Sequence, residues 1–215
     1  MSEQNNGHRV VITGMGAITP LGNNVDEYWQ NLLNGVSGVD WITIVDPGPY
    51  PAKVSGDIHN FVPEDYMDRK AARRMARFSQ YAVAASRQAV EDSGLKDGDI
   101  APERLGVSMG NGFGGLPNTD EAVRKIIEKG GMRVDPFYML KTLPNMAAAH
   151  VSLTQQAKGP STTITTACAA ATQAIYTTMK ALREGTPPAE IANLASKDLR
   201  AATTRAADYA DWIRR

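Results

Sequence analysis

Apolar and polar positions along this chain fall into blocks that switch between a strand-like and a helix-like period. Arg9-Val10-Val11-Ile12-Thr13 is a short β-branched run ending at Gly14, which predicts a buried strand. Asn24 followed by Glu27 has the spacing of a capping box. Behind it Tyr28, Trp29, Leu32 and Leu33 recur at helical spacing, and the pattern stops near Gly35. Residues 36–66, with Pro47, Pro49, Pro51 and Pro63, predict mostly irregular connection. From Arg69 to Ser93, Ala72, Met75, Phe78, Ala82, Ala85 and Ala89 recur every three or four residues. One helix is predicted there, closed by Gly94.

Leu105 to Met109 predicts a second buried strand, which runs into the glycine-rich loop Gly110 to Gly115. Helices are predicted over Thr119 to Lys129 and around Asn145 to Lys158. Ser161 to Thr166 predicts a β-branched strand, and the alanine-rich run from Ala167 a further helix. Alternating strands and helices argue for an α/β fold with a mainly parallel sheet covered on both faces. There is no internal repeat and no low-complexity tract. Residues 1–7 are expected to form a frayed, polar tail. After Pro187-Pro188, the residues Ile191, Ala195, Leu199, Ala202, Ala206, Tyr209 and Ile213 make one apolar stripe. That stripe predicts a long amphipathic helix over much of 186–215, packed against the domain or a partner.

Composition narrows the function. The chain has 215 residues, with 23 basic side chains against 23 acidic ones, so the charge excess typical of a nucleic-acid binder is missing. A single cysteine leaves no intramolecular disulfide framework. No apolar run approaches the roughly 18 residues of a membrane span. The opening MSEQNNG lacks the layout of a signal peptide. The expectation is a soluble, cytoplasmic protein.

Cys168 is the most informative residue. It falls where a threonine-rich strand, expected to be central, gives way to a helix. In the first turn of a helix the unpaired N–H groups and the macrodipole favour a thiolate, the nucleophilic form. The alternative is an inert buried cysteine. Gly110 to Gly115 match G-x-G-x-x-G, but Leu116 and Pro117 intervene before a helix expected to start near Thr119. Gly14 and Gly16 lack the third glycine. Tight loops that let backbone approach a neighbour or an acyl chain therefore compete with dinucleotide binding. His8, His59 and His150 show no metal-ligand spacing, and His150 reads as a satisfied core histidine. Arg69, Lys70, Arg73, Arg74 and Arg77 put five positive charges near the start of one predicted helix. This is either a solvated face or a docking surface for a small acidic partner.

Taken in order, these motifs resemble one family. Val10 to Gly22 (VVITGMGAITPLG), Gly110 to Gly115, Pro144-Asn145-Met146, Gly159-Pro160-Ser161 and Thr165-Thr166-Ala167-Cys168 are similar to β-ketoacyl-[acyl-carrier-protein] synthases, especially the elongating type II enzymes. The resemblance covers about residues 8–185. It implies the N-terminal half of a thiolase-like fold, with 186–215 as a divergent helical tail. It also implies acyl transfer followed by decarboxylative Claisen condensation of carrier-protein thioesters, in fatty acid or polyketide synthesis. On it, Cys168 would be the acylated nucleophile and its backbone N–H one oxyanion-hole donor. Phe113 would gate the acyl pocket, Tyr138 would line it across a dimer, and Arg69, Lys70, Arg73 and Arg74 would dock the acyl carrier protein. No cofactor and no metal is implied. Family members are about twice this length, and their two catalytic histidines lie in the second half, whereas no histidine follows Cys168 here. The expectation is that this chain alone does not condense. A non-catalytic half that dimerises or pairs with a complementary chain is the competing expectation, and a nucleotide-binding α/β protein is a third.

Overall fold

The computed structural model describes residues 9–44, 46–48, 51–184 and 191–192. In chain order its main elements are α1 (Val25–Leu33), β1 (Asp40–Trp41), β2 (Val54–Ser55), α2 (Arg69–Arg74) and α3 (Arg77–Ser93). There follow β3 (Gly106–Gly110), α4 (Leu116–Lys129), α5 (Tyr138–Thr142), α6 (Met146–Thr154), β4 (Ser161–Ile164), α7 (Ala170–Arg183) and β5 (Ile191–Ala192).

The fold is organised around β3, which is buried along its whole length. Its neighbours β4 and β5 both run parallel to it, in the order β4-β3-β5. Strand alternation sends successive side chains to opposite faces. Val107 and Met109 enter a core with Val83 of α3 and Ala147, Ala148 and Val151 of α6. On the other face Ser108 Oγ donates to Ala174 O of α7 at 3.4 Å. Helices thus cover β3 on both sides, as the alternation of strands and helices predicts. Each fully buried Val or Met in this core contributes about 1.5–3 kcal/mol.

Four expectations need correction. Arg9–Thr13 forms no strand, and Val11 and Ile12 are exposed. The open edge of β3 is taken instead by Ile191 and Ala192. The chain just after Thr13 is sewn to α3 by side chains: Met15 N donates to Asp92 Oδ2 at 2.7 Å and Ala17 N to Gln88 Oε1 at 2.9 Å. Second, the single helix expected over 69–93 is two, α2 and α3, because Met75 and Ala76 are extended, with ψ of 145° and 163°. Burying Met75 and Ala76 in the core sets this break, which the periodic pattern runs straight through. The expected αL stop at Gly94 is present, with φ of 72°. Third, β4 is an edge strand of the described sheet, not a central one, and Ser161 and Thr162 are exposed. Fourth, Ile191 and Ala192, expected at the start of the C-terminal helix, are the strand β5; the rest of the 186–215 stripe lies outside the described residues.

Asn24 caps α1 as expected, its side chain accepting from Glu27 N. The Glu27 carboxylate reaches back one residue further than a capping box requires, to Asn23 N at 2.9 Å. No helix among the described residues is long and apolar enough to cross a membrane.

Candidate active site

The site forms where two parallel strands end together. β3 leads into the loop carrying Phe113, and β4 leads into the turn carrying Cys168. Because the strands are neighbours in parallel register, with Gly110 opposite Ile164, both connections leave the same end of the sheet. Asn111 N donates to Ile164 O at 2.9 Å and prolongs the ladder by one bond. In open α/β sheets this carboxyl end is where ligands bind.

Cys168 lies in a 3-10 turn, Ala167–Ala169, that runs directly into α7. Cys168 is exposed among the described residues, unlike the buried cysteine of the alternative reading. Ala167 has φ of 50°. That left-handed backbone costs an alanine about 1–2 kcal/mol. The strain makes the reversal from strand to helix tight, and the first turn of that helix follows at once. Small residues let α7 approach closely: Ala170, Ala171 and Ala174 are buried against the sheet.

The glycine-rich loop is fitted to its protein neighbours. A Cβ on Gly115 would lie 1.8 Å from Lys141 O, and one on Gly114 2.7 Å from Thr142 O, so the backbone of α5 fills the space beside both glycines. Helix α4 begins at Leu116, directly after Gly115, and not at Thr119 as expected. Pro117 is accommodated in the first turn, where its missing N–H costs no helical bond. Asn111, which the sequence did not single out, clasps the loop: its Nδ2 donates to Pro144 O at 2.9 Å, and its Oδ1 accepts from Gly114 N at 3.3 Å. Gly14 and Gly16 play a similar part against α3, where Cβ atoms would strike Ala89 O and Ala85 O at 2.1 and 1.9 Å.

Phe113, at the tip of this loop, is 82% exposed. Tyr138 opens α5, half-buried, and lines a shallow cleft with Asn118, Lys125, Asp135 and Lys141; Phe113 is not part of that cleft's lining. Lys141 Nζ lies 2.6 Å from Asp135 Oδ2, which holds the Asp135 carboxyl below its ordinary range. Arg69, Lys70, Arg73 and Arg74 are exposed on α2, while Arg77 belongs to α3. Arg74 also stacks over the Phe137 ring at 5.1 Å. His150 is buried in α6, but it is not the satisfied core histidine expected: its Nε2 has no hydrogen-bond partner among the described residues, and burial holds its pKa below the ordinary value. Among the described residues no three His, Cys, Asp or Glu side chains cluster to hold a metal ion.

Residues 7–210 match the β-ketoacyl synthase N-terminal domain family. The chain belongs to that family. The match extends past residue 185, into the segment expected to diverge. Among curated relatives, 3-oxoacyl-[acyl-carrier-protein] synthase 2 of Staphylococcus aureus (strain N315) is 44% identical over 183 residues, covering 85% of this chain and 44% of the relative. The protein of the same name from Synechocystis sp. (strain ATCC 27184 / PCC 6803 / Kazusa) is 37% identical over 177 residues, covering 82% and 42%. The chain therefore spans less than half the length of these curated relatives. Among solved structures, a β-ketoacyl synthase from Burkholderia phymatum STM815 is similar with a TM-score of 0.68 and 31% identity, over 81% of this chain and 43% of that one. The ishigamide ketosynthase/chain length factor gives a TM-score of 0.78 at 28% identity, over 83% and 45%. The fold is thus the thiolase-like one of the ketosynthases, of which the described residues form part.

Proposed function

We propose that this chain carries the acyl-accepting site of a ketosynthase, with Cys168 as the nucleophile. The observation that supports it is an exposed thiol in a strained strand-to-helix turn, at the carboxyl end of a parallel sheet, within the region matched to the family. The Cys168 thiolate attacks the carbonyl carbon of an acyl carrier-protein thioester. A new C–S bond forms, the carrier's sulfur leaves as its thiol after taking up a proton, and the acyl group remains on Cys168. In this reading the Cys168 amide, in the 3-10 turn that leads into α7, donates to the developing oxyanion, since N–H groups of an opening turn have no acceptor within it. Phe113 stands at the same sheet end and acts as the gate of the acyl pocket, Tyr138 lines that pocket across a dimer, and the exposed cations of α2 dock the acidic carrier. A solved structural neighbour, similar in fold, is a type II polyketide ketosynthase in complex with its acyl carrier protein.

Decarboxylation of a malonyl carrier protein and C–C bond formation, in the cytoplasm, belong to an assembly in which histidines from another segment complete the site. The sequence has none after Cys168. Intact-mass measurement after mixing the chain with acyl carrier proteins of graded acyl length tests the first step. One acyl group per chain is expected, lost in Cys168→Ala, with the accepted length shifted in Phe113→Ala. A folded chain that takes up no acyl group refutes the proposal.

A second reading, assembly with a second copy or a complementary chain, is favoured by the exposed edge of β4 and by exposed Val11 and Ile12. Light scattering decides it, and a monomer at all concentrations, with no partner, counts against it.

A further inference from the structure

Gln80 joins α2 to α3 across the two-residue break that separates them. It sits in the first turn of α3 and is only 9% exposed. Its Nε2 donates to Ala72 O of α2 at 2.9 Å, and its Oε1 accepts from Arg77 Nη1 at 3.1 Å. Arg77 is itself held by aromatic faces, 5.3 Å from the Phe61 ring centroid and 5.9 Å from that of Tyr81.

Helix α2 depends on such contacts for its direction. It has six residues, of which only Ala72 is buried. A helix that short has no stability of its own in water. Its N-terminal end is fixed by Asp68 Oδ1, which accepts from Lys70 N and Ala71 N, both at 2.9 Å. Its other end is held at Ala72 O, which accepts from Gln80 Nε2 and also from Met75 N at 3.2 Å. Between these clamps it displays Arg69, Lys70, Arg73 and Arg74.

We infer that Gln80 is a positioning residue for carrier docking: by holding Ala72 O from α3, it sets the direction in which α2 presents its four cations. This rests on the reading of α2 as the carrier-docking surface. A partner that meets several charges at once responds to their relative placement, because each contribution falls with distance. Gln80 is buried, so its effect on carrier binding runs through the groups it bonds, Ala72 O of α2 and the Arg77 guanidinium.

The test combines affinity with local order. Binding of acyl carrier protein to the full chain is followed by fluorescence anisotropy for the parent and for Gln80→Met, a neutral replacement of similar length. Backbone hydrogen exchange is read on both. Gln80→Met is expected to weaken carrier binding roughly three- to tenfold, the effect of one or two net hydrogen bonds. Exchange should rise at residues 69–74 and stay unchanged in α3 and α6. Equal carrier affinity for parent and variant overturns the inference and leaves the docking surface standing. A parent chain that binds no carrier overturns both. Exchange that rises throughout the fold shows a merely structural role and overturns the inference. Should Gln80→Met fail to fold, Gln80→Glu is read in the same way, since it keeps the acceptor for Arg77 and loses the donor to Ala72 O: unchanged carrier affinity overturns the inference, and weakened affinity with faster exchange at 69–74 supports it.

Discussion

Gly110 lies against Ala171 so closely that a Cβ on the glycine would come within 2.4 Å of both the Ala171 Cα and its backbone nitrogen. The end of β3 and the start of α7 meet at this point, three residues beyond Cys168. The position of the thiol is therefore tied to the absence of one methyl group.

Gly110→Ala is expected to push the first turn of α7 away from the sheet. Overpacking at a buried backbone contact costs about 1–3 kcal/mol. Denaturant unfolding should show that loss, and alkylation of Cys168 under native conditions should change in rate, since the turn bearing it moves with α7.

Ala167→Gly relieves the left-handed strain in the turn that presents Cys168. Relief of about 1–2 kcal/mol is partly offset by the greater freedom of glycine in the unfolded chain. A net gain of about 0.5–1 kcal/mol is expected in denaturant unfolding. Acyl transfer to Cys168 should slow, because the turn is no longer confined to one geometry.

Burial depresses the pKa of His150 from its ordinary 6.5. The unfolded chain then takes up a proton before the folded one does. The stability associated with His150 is complete above 6.5 and falls as pH drops from 6.5 towards the lower folded value. Thermal unfolding across that window should show the decline. In His150→Leu the slope should flatten there, since neither state gains the proton.

Asp57 reports on a different window. Its carboxylate accepts from Ser55 Oγ, and from Thr43 N and Oγ1, both at 2.9 Å, which outweighs the opposing effect of burial and lowers its pKa from the ordinary 3.8. Its contribution is therefore present above 3.8 and lost as pH falls below that value through the folded one. Asp57→Asn should lower stability near neutral pH and reduce its acid dependence below 3.8. The hairpin β1–β2, which Asp57 braces, should show the first increase in hydrogen exchange.

Much of the fold was legible along the chain, and what was not has an identifiable cause. The runs at Leu105 to Met109 and Ser161 to Thr166 became β3 and β4, within a residue or two at the ends. Gly94 closed α3 as its position predicted. Arg9–Thr13 is as strand-like as either run, yet it finds no ladder, because pairing depends on which edge of β3 is open and to whom. The unbroken helical period over 69–93 likewise concealed the break at Met75-Ala76. Periodicity records which positions are apolar, and an extended pair of buried residues satisfies it equally well.

The candidate site divides in the same way. Cys168 and the glycine-rich loop were marked by local chemistry: a nucleophile between a β-branched run and an alanine-rich one, and glycines where no side chain fits. Those are properties of neighbours in sequence, so the amino-acid order alone determined them, together with membership of the ketosynthase family. Tertiary structure decided the rest. Parallel pairing of β3 with β4 brought Phe113 and Cys168 to one end of the sheet, and the extended pair Met75-Ala76 put Arg77 on α3, apart from the cations of α2. Asn111, Gln80 and Gly110 matter through partners 33, 8 and about 60 residues away. Such contacts exist only once the backbone has closed on itself, because hydrogen bonds and close packing act over ångströms of space rather than along the chain.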